Sequence, residues 1–189
     1  MTVLRPNPAT FPSEALLGAR KVELLILDVD GVLTDGRLHY SDGGVETKAF
    51  HAQDGAAIKM LQEAGIPVAI VSGRDSEAVD RRAGELGIAH VHQGVVDKAG
   101  TLEELGRATG IAPERMAHAG DDIPDLALFD RVGFRISVPG AHPTVAAEAD
   151  YVTATAPGAG AVREACHLIL VARGLWRDAL FKARGSGPR

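Results

Sequence analysis

The chain has 189 residues, with 20 Lys and Arg against 25 Asp and Glu for a formal net charge of −5. That length suits one domain around one core, and mixed charge without long single-sign blocks excludes nucleic acid or an anionic membrane surface as the main partner. No stretch approaches the ~20 apolar residues of a membrane span, and a lone cysteine, Cys166, excludes an internal disulfide and fits a reducing compartment, so a cytoplasmic protein with a small-molecule partner is expected.

Residues 1–20 carry Pro6, Pro8 and Pro12 without a basic start or a continuous apolar segment, which predicts a loose N-terminal arm rather than a signal peptide. "VELLILD" then gives a first buried strand that drives four aliphatic residues, Leu24 to Leu27, into Asp28. "RLHYSDGGVETKAF", residues 37–50, places two strand-like runs around Asp42-Gly43-Gly44 and predicts a projecting hairpin. Its open edges would be covered by another subunit. Ile58, Leu61 and Ala64 share a helical face before Gly65 and Pro67, as do Val79, Ala83 and Leu86 before Gly87. "PVAIVSG", "AHVHQG", "RMAHAGDD", "VGFRISV" and "DYVTA" supply further strands, short and continuously apolar as expected for strands buried on both faces. Strands alternating with helices predict right-handed crossovers and a doubly wound parallel α/β sheet over residues 21–175, followed by a C-terminal tail at 176–189.

Three of these strands end in reactive groups: Asp28 and Asp30 after the first, Ser72 after "PVAIV", Asp121 and Asp122 after "MAHAG". In an open α/β sheet such ends meet at the crevice where strand order reverses. Each group alone reads as a turn or a helix cap; their coincidence at one edge points to a site. Asp28, Asp121 and Asp122 together would repel and need a cation. Carboxylate oxygens without nearby His or Cys select Mg²⁺, which pairs one or two carboxylates with a substrate phosphate. An EF-hand is excluded because Val32, Leu33 and His39 fall where its loop needs an oxygen ligand, Gly and Glu. Asp28 is then the expected nucleophile on phosphorus, Asp30 the acid and base two residues on, and Ser72 with Lys98 the donors for the phosphoryl group. The histidines match no finger or zincin spacing, and His90, His92 and His118 are expected to pack at strand edges; Cys166 is expected to be a buried structural thiol.

"DVDGVLTD", "VSGR", Lys98 and "GDDIPD" stand in the order of the four motifs of the haloacid dehalogenase-like phosphatases, a Rossmann-like superfamily. From Lys21 to Leu175, with "KAFHAQDG", "LGIAHVHQGVVDK", "AHP", "ADYVT" and "GAVRE", the chain resembles the 3-deoxy-D-manno-octulosonate 8-phosphate phosphatase family, a group without a large cap domain that serves lipopolysaccharide precursor synthesis. The resemblance implies Mg²⁺ on the Asp28 carboxylate, the Asp30 carbonyl and the Asp121 carboxylate, with Asp122 supporting the metal. It implies substrate contacts at Asp30, His51, Ala52, Gln53, Asp54, Gly55, Lys59, Ser72, Gly73, Arg74, Arg82 and Lys98. It also implies a homotetramer whose hairpins pack centrally and whose neighbours shield each site. Relatives acting on nine-carbon sialic-type acid 9-phosphates carry Glu where Arg74 stands, so Arg74, an apt partner for a sugar-acid carboxylate, favours the eight-carbon substrate. The family's Gly-Gly-x-Gly-Ala stretch appears here as Pro157-Gly158-Ala159-Gly160-Ala161, so a tail closing over a neighbour would close differently.

Two rivals belong to other classes. A phospho-accepting receiver domain uses a similar sheet but lacks an acid/base two residues after its acceptor, and an inactive oligomerisation module of the same fold would not need all four motifs.

Overall fold

A computed structural model describes residues 11–185. Six strands form one parallel sheet: β1 (Leu24–Leu27), β4 (Val68–Val71), β5 (His90–His92), β6 (Met116–Ala119), β7 (Phe134–Ser137) and β8 (Tyr151–Val152). Their spatial order is β5-β4-β1-β6-β7-β8, so the chain steps outward from β1 to β5 and then returns to the other side of β1. That reversal opens a crevice at the carboxyl ends of β1, β4 and β6. β1 is held in register on both sides, Leu25 opposite Val68 and Ala117, Leu27 opposite Ile70 and Ala119.

Every residue of β1, β4 and β6 is buried, as continuous apolar runs require when helices cover both faces. Alternation along β1 sends Leu25 and Leu27 into the larger core and Leu24 and Ile26 into the smaller one. The larger core is closed by α1 (Ser13–Ala19), α2 (Ala52–Glu63), α3 (Glu77–Leu86), α7 (Ala161–Ala172) and α8 (Trp176–Ala183). The smaller one is closed by α4 (Lys98–Thr109) and α5 (Leu126–Phe129), through Leu102, Leu105 and Leu128. A short α6 (Pro143–Glu148) joins β7 to β8. Gly87 ends α3 in the left-handed conformation, φ +68°, as its position after Leu86 predicts.

The hairpin forms where Asp42-Gly43-Gly44 places it: β2 (His39–Tyr40) pairs antiparallel with β3 (Glu46–Thr47) outside the main sheet. Its apolar side chains Leu38, Tyr40 and Val45 are exposed in the single chain.

Two expectations are corrected. Part of the expected loose arm is a helix: α1 buries Phe11, Ala15 and Ala19 in the larger core against α7. The expected tail likewise begins with α8, whose Ala179 is buried and whose turns contact α2 and α7. Proline-rich composition concealed α1 because its buried positions are alanines, which carry little hydrophobic signal. Residues 1–10 and 186–189 lie outside the described residues. Cys166 is fully buried, and burial pushes its thiol pKa up, so it is the structural thiol expected. Among the described residues no helix is long and apolar enough to cross a membrane.

One buried polar contact ties the larger face together. Asp54, in the first turn of α2, is 1% exposed and its Oδ1 accepts the backbone N–H of Arg163 at 2.7 Å, satisfying an otherwise unpaired donor at the start of α7. Removing that carboxylate strands the donor in the interior, so Asp54→Ala is expected to lower unfolding stability by roughly 1–3 kcal/mol. Urea denaturation checks this, and an unchanged midpoint and slope would contradict it.

Candidate active site

The site is assembled from three strand ends. Asp28 follows β1, extends the ladder by donating its N–H to Ala119 O at 3.0 Å, and is 7% exposed. The chain then turns through Val29–Leu33, with Gly31 at φ +89°. A Cβ there would lie 2.0 Å from Asp121 Oδ2, so only glycine lets this turn rest against the Asp121 carboxylate. Ser72 follows β4, buried, its N–H donated to His92 O at 2.9 Å and its Oγ accepting the Arg74 N–H at 3.3 Å. Asp121 and Asp122 follow β6 and lead into a 3-10 turn, Ile123–Asp125. Lys98 opens α4, just after Asp97 caps that helix by accepting the Gly100 N–H at 3.0 Å.

Asp125 joins these pieces. It is 1% exposed; its Oδ2 accepts the backbone N–H groups of Asp121 at 3.0 Å and Asp122 at 3.2 Å. Its Oδ1 accepts from Lys98 Nζ at 2.6 Å and lies 2.9 Å from His118 Nε2. Lys98 Nζ also donates to Asp28 Oδ1 at 2.9 Å. One buried lysine therefore bridges the first and last motifs. The result is a pocket of about 310 Å³ lined by Asp28, Asp30, Ser72, Gly73, Arg74, Lys98, Asp121, Asp122 and Asp125, with Gly36 and Pro124.

The electrostatics are those of crowded acids. Burial first, then the charge of Asp125, pushes Asp28 up to about 6 against the pull of Lys98. Burial and the neighbouring charges of Asp28, Asp125 and Asp122 push Asp121 up to about 7. Burial also opposes ionisation of Asp125, yet the hydrogen bonds of His118 and Lys98 outweigh it and hold that carboxyl well below the usual range. Lys98 loses hydration on burial, and Asp28 and Asp125 more than compensate, raising its pKa. Carboxylate oxygens of Asp28, Asp121 and Asp125 lie within 4.8 Å of one another. Asp125 is already matched by two cationic or donor groups, whereas Asp28 and Asp121 retain uncompensated repulsion. An all-oxygen set of this kind fits a hard divalent cation.

At the pocket mouth the hairpin contributes a second group of charges. Lys48, directly after β3, donates to Asp30 Oδ1 and lies 3.1 Å from Glu46 Oε1. Arg74 Nη2 donates to Glu46 Oε2 at 2.5 Å and to the Tyr40 hydroxyl at 3.0 Å, with its Nε 3.6 Å from Asp30 Oδ2. The Arg74 hydrogen bond above all holds Glu46 down to about 2.

Of the residues expected to contact substrate, Asp30, Ser72, Gly73, Arg74 and Lys98 line the pocket; His51, Ala52, Gln53, Asp54, Gly55, Lys59 and Arg82 do not line it within this chain. Gln53 faces another cavity of about 410 Å³ with Arg163 and Tyr151; Lys59 is exposed on α2; Arg82 Nη1 donates to Glu85 Oε2 at 3.0 Å. Asp35, the last residue of "DVDGVLTD", is a turn residue, its Oδ1 accepting the Arg37 N–H at 3.1 Å. His118 corrects an expectation: it sits on the central strand β6, fully buried, its Nδ1 3.3 Å from Ile26 O. Asp125 and Lys48 were missed. Both stand inside quoted motifs, "GDDIPD" and "KAFHAQDG", but their roles rest on contacts to residues 27 and 18 positions away.

Comparison with known proteins places this architecture. Residues 87–165 match the haloacid dehalogenase-like hydrolase family. The 3-deoxy-D-manno-octulosonate 8-phosphate phosphatase of Escherichia coli K12 is 43% identical over 88% of this chain and 89% of its own length. The crystal structure of the phosphatase of the same name from Moraxella catarrhalis, in complex with magnesium, phosphate and KDO, superposes with a TM-score of 0.87 at 44% identity, covering 92% of this chain and 99% of that one. A cobalt-bound form of the Haemophilus influenzae enzyme gives 0.81 at 41% identity, over 84% and 93%. Likeness of this extent shows the family, and the chain belongs to the 3-deoxy-D-manno-octulosonate 8-phosphate phosphatase family of haloacid dehalogenase-like hydrolases.

Proposed function

We propose that this chain hydrolyses 3-deoxy-D-manno-octulosonate 8-phosphate to the free sugar acid and phosphate, in the cytoplasm, as a step in lipopolysaccharide precursor synthesis. The observation that carries the reading is the Asp28 carboxylate, fixed at the end of β1 by Lys98 at 2.9 Å and sharing a pocket with Ser72 and the acidic pair Asp121 and Asp122.

Asp28 and Asp121, with the main-chain carbonyl of Asp30, would hold Mg²⁺; Asp122 would support them from the same turn. When bound, the ion offsets charge on the phosphoryl oxygens and the repulsion between the two raised carboxylates. Asp28 attacks phosphorus and becomes an aspartyl-phosphate as the sugar oxygen leaves. Asp30 gives its proton to that leaving oxygen, then takes one from the water that attacks the same phosphorus and frees Asp28. Ser72, the backbone N–H of Gly73 and Lys98 hold the phosphoryl oxygens during both steps. Lys98 also keeps one Asp28 oxygen fixed, so attack needs no side-chain reorganisation.

Arg74 is the candidate for recognising the substrate carboxylate. It lies on the pocket wall, 44% exposed, and already engages a carboxylate, Glu46. The hairpin with its exposed Leu38, Tyr40 and Val45 supports packing against other subunits in a homotetramer. In such an assembly His51, Ala52, Gln53, Gly55, Lys59 and Arg82 would serve a neighbour's site instead of their own. Asp54, buried against α7, would support them without touching substrate.

Phosphate release should require Mg²⁺, favour the eight-carbon over the nine-carbon acid phosphate by tenfold or more in kcat/KM, about 1.4 kcal/mol of transition-state preference, and fall to the level of the enzyme-free blank in Asp28→Asn. Equal or reversed preference would refute the eight-carbon assignment, and activity retained in Asp28→Asn would refute covalent catalysis.

Because Asp28 and Asp121 are raised from 3.8 to about 6 and about 7, the cation-free folded chain retains protons that the unfolded chain has lost. Their contribution to stability therefore falls as pH rises from about 4 through about 7. Mg²⁺ competes with those protons, so the gain in melting temperature on adding it should be larger at pH 7.5 than at pH 5.5. An equal or smaller gain at pH 7.5 in thermal unfolding would contradict this.

A further inference from the structure

We infer that Lys48 is a positioning residue for the reaction: it fixes the Asp30 carboxyl so that Oδ2 is the oxygen that carries the proton to and from the phosphoryl site. The inference rests on the assignment of Asp30 as acid and base made above.

The Lys48 side chain is 1% exposed, although it starts from a hairpin that is otherwise solvent-facing. Burying an ammonium is costly unless carboxylates meet it, and two do. Nζ donates to Asp30 Oδ1, and Glu46 Oε1 lies 3.1 Å away. Glu46 also binds Arg74, so the four charges form one network across the pocket mouth.

The two oxygens of Asp30 are not equivalent in this network. Oδ1 is taken by Lys48, whereas Oδ2 is buried without a hydrogen-bond partner on the carboxyl of a residue that lines the pocket. An unpartnered buried carboxylate oxygen is unusual in a folded chain and calls for an explanation; on a pocket-lining acid it is the oxygen left free to exchange a proton. Arg74 Nε lies 3.6 Å from it, outside hydrogen-bonding distance. When Arg74 turns to a substrate carboxylate, as proposed, Lys48 is left, among the described residues, as the side-chain cation on the Asp30 carboxyl. A residue so enclosed does not reach substrate; it acts through Asp30. By occupying Oδ1 it removes the rotation that would exchange the two oxygens, which is the kind of prior orientation that raises the rate of a proton transfer.

The test exploits the leaving group. A sugar alkoxide needs a proton as it departs, whereas p-nitrophenolate departs without one. In Lys48→Met, kcat on the sugar acid phosphate should fall by roughly 10- to 100-fold, a part of the ~10²–10⁴-fold that general acid–base catalysis supplies, with KM changed less than threefold. In single-turnover experiments with p-nitrophenyl phosphate, the same variant should release the first equivalent of p-nitrophenolate at close to the unmodified rate and slow only afterwards, when water must be deprotonated. Should Lys48→Met fail to fold, as judged by its thermal unfolding, Lys48→Arg is the second variant, with the same pattern and a smaller loss. Unchanged kcat on the sugar substrate, or an equal slowing of the first p-nitrophenolate release, overturns the inference. Asp30→Asn separates the layers: if it retains full activity, the acid/base assignment itself falls; if it is slow while Lys48→Met is not, only the role of Lys48 falls.

Discussion

The constraint on which the rest of the structure depends is the burial of like charge at one end of the sheet. Asp28, Asp121 and Asp125 bring carboxylate oxygens within 4.8 Å of one another, with Asp28 and Asp125 buried and Asp121 half-buried. Such a cluster is tolerated only when opposite charge and donors are arranged around it in advance. Lys98 meets Asp28 and Asp125, His118 meets Asp125, and two backbone N–H groups close the Asp125 carboxylate from the other side. What remains unbalanced is the pair Asp28 and Asp121, and that imbalance is the basis of cation binding. An acid cluster balanced entirely by side chains would be more stable and of no use to a phosphatase.

The sheet makes this possible by rigidity. β1 is hydrogen-bonded on both edges and packed on both faces, so Asp28 leaves it in a direction fixed by four buried aliphatic residues. The turn that follows is set against Asp121 so closely that Gly31 has no room for a side chain. Loop and strand end thus act as one body, and Asp28, Asp30 and Asp121, the proposed nucleophile, acid/base and metal carboxylate, are held in relation by backbone packing. The hairpin adds a second layer above them, carrying Lys48, Glu46 and Tyr40 to the pocket mouth.

Much of this was legible in the sequence because the informative contacts are local. Short apolar runs bounded by turn residues indicated the six strands, and the three reactive strand ends followed from the topology they implied. Gly87 stopped its helix, and Asp42-Gly43-Gly44 turned the hairpin. The parts that escaped depend on contacts between distant residues. Asp125 looks like one more acid in "GDDIPD" until the fold brings Lys98 and His118 to it. Lys48 looks like a solvated hairpin lysine until the hairpin leans on Asp30. His118 has the strand alternation of a core residue, and no spacing rule distinguishes it from His90 or His92 on the edge strand. α1 was hidden because it buries alanines instead of large side chains. The residues opening α2 show the complementary limit: a family resemblance assigns them to substrate, and a single chain turns them away from its own pocket.

The central claim is that the buried carboxylate at the end of β1 becomes the phosphoryl carrier. Acid quenching of the Mg²⁺-loaded enzyme during turnover of ³²P-labelled substrate, followed by peptide mapping, tests it most directly. The account predicts acid-stable, hydroxylamine-labile label on the peptide containing Asp28. Label on another carboxylate, or turnover without any label on protein under conditions that preserve acyl phosphates, would contradict it.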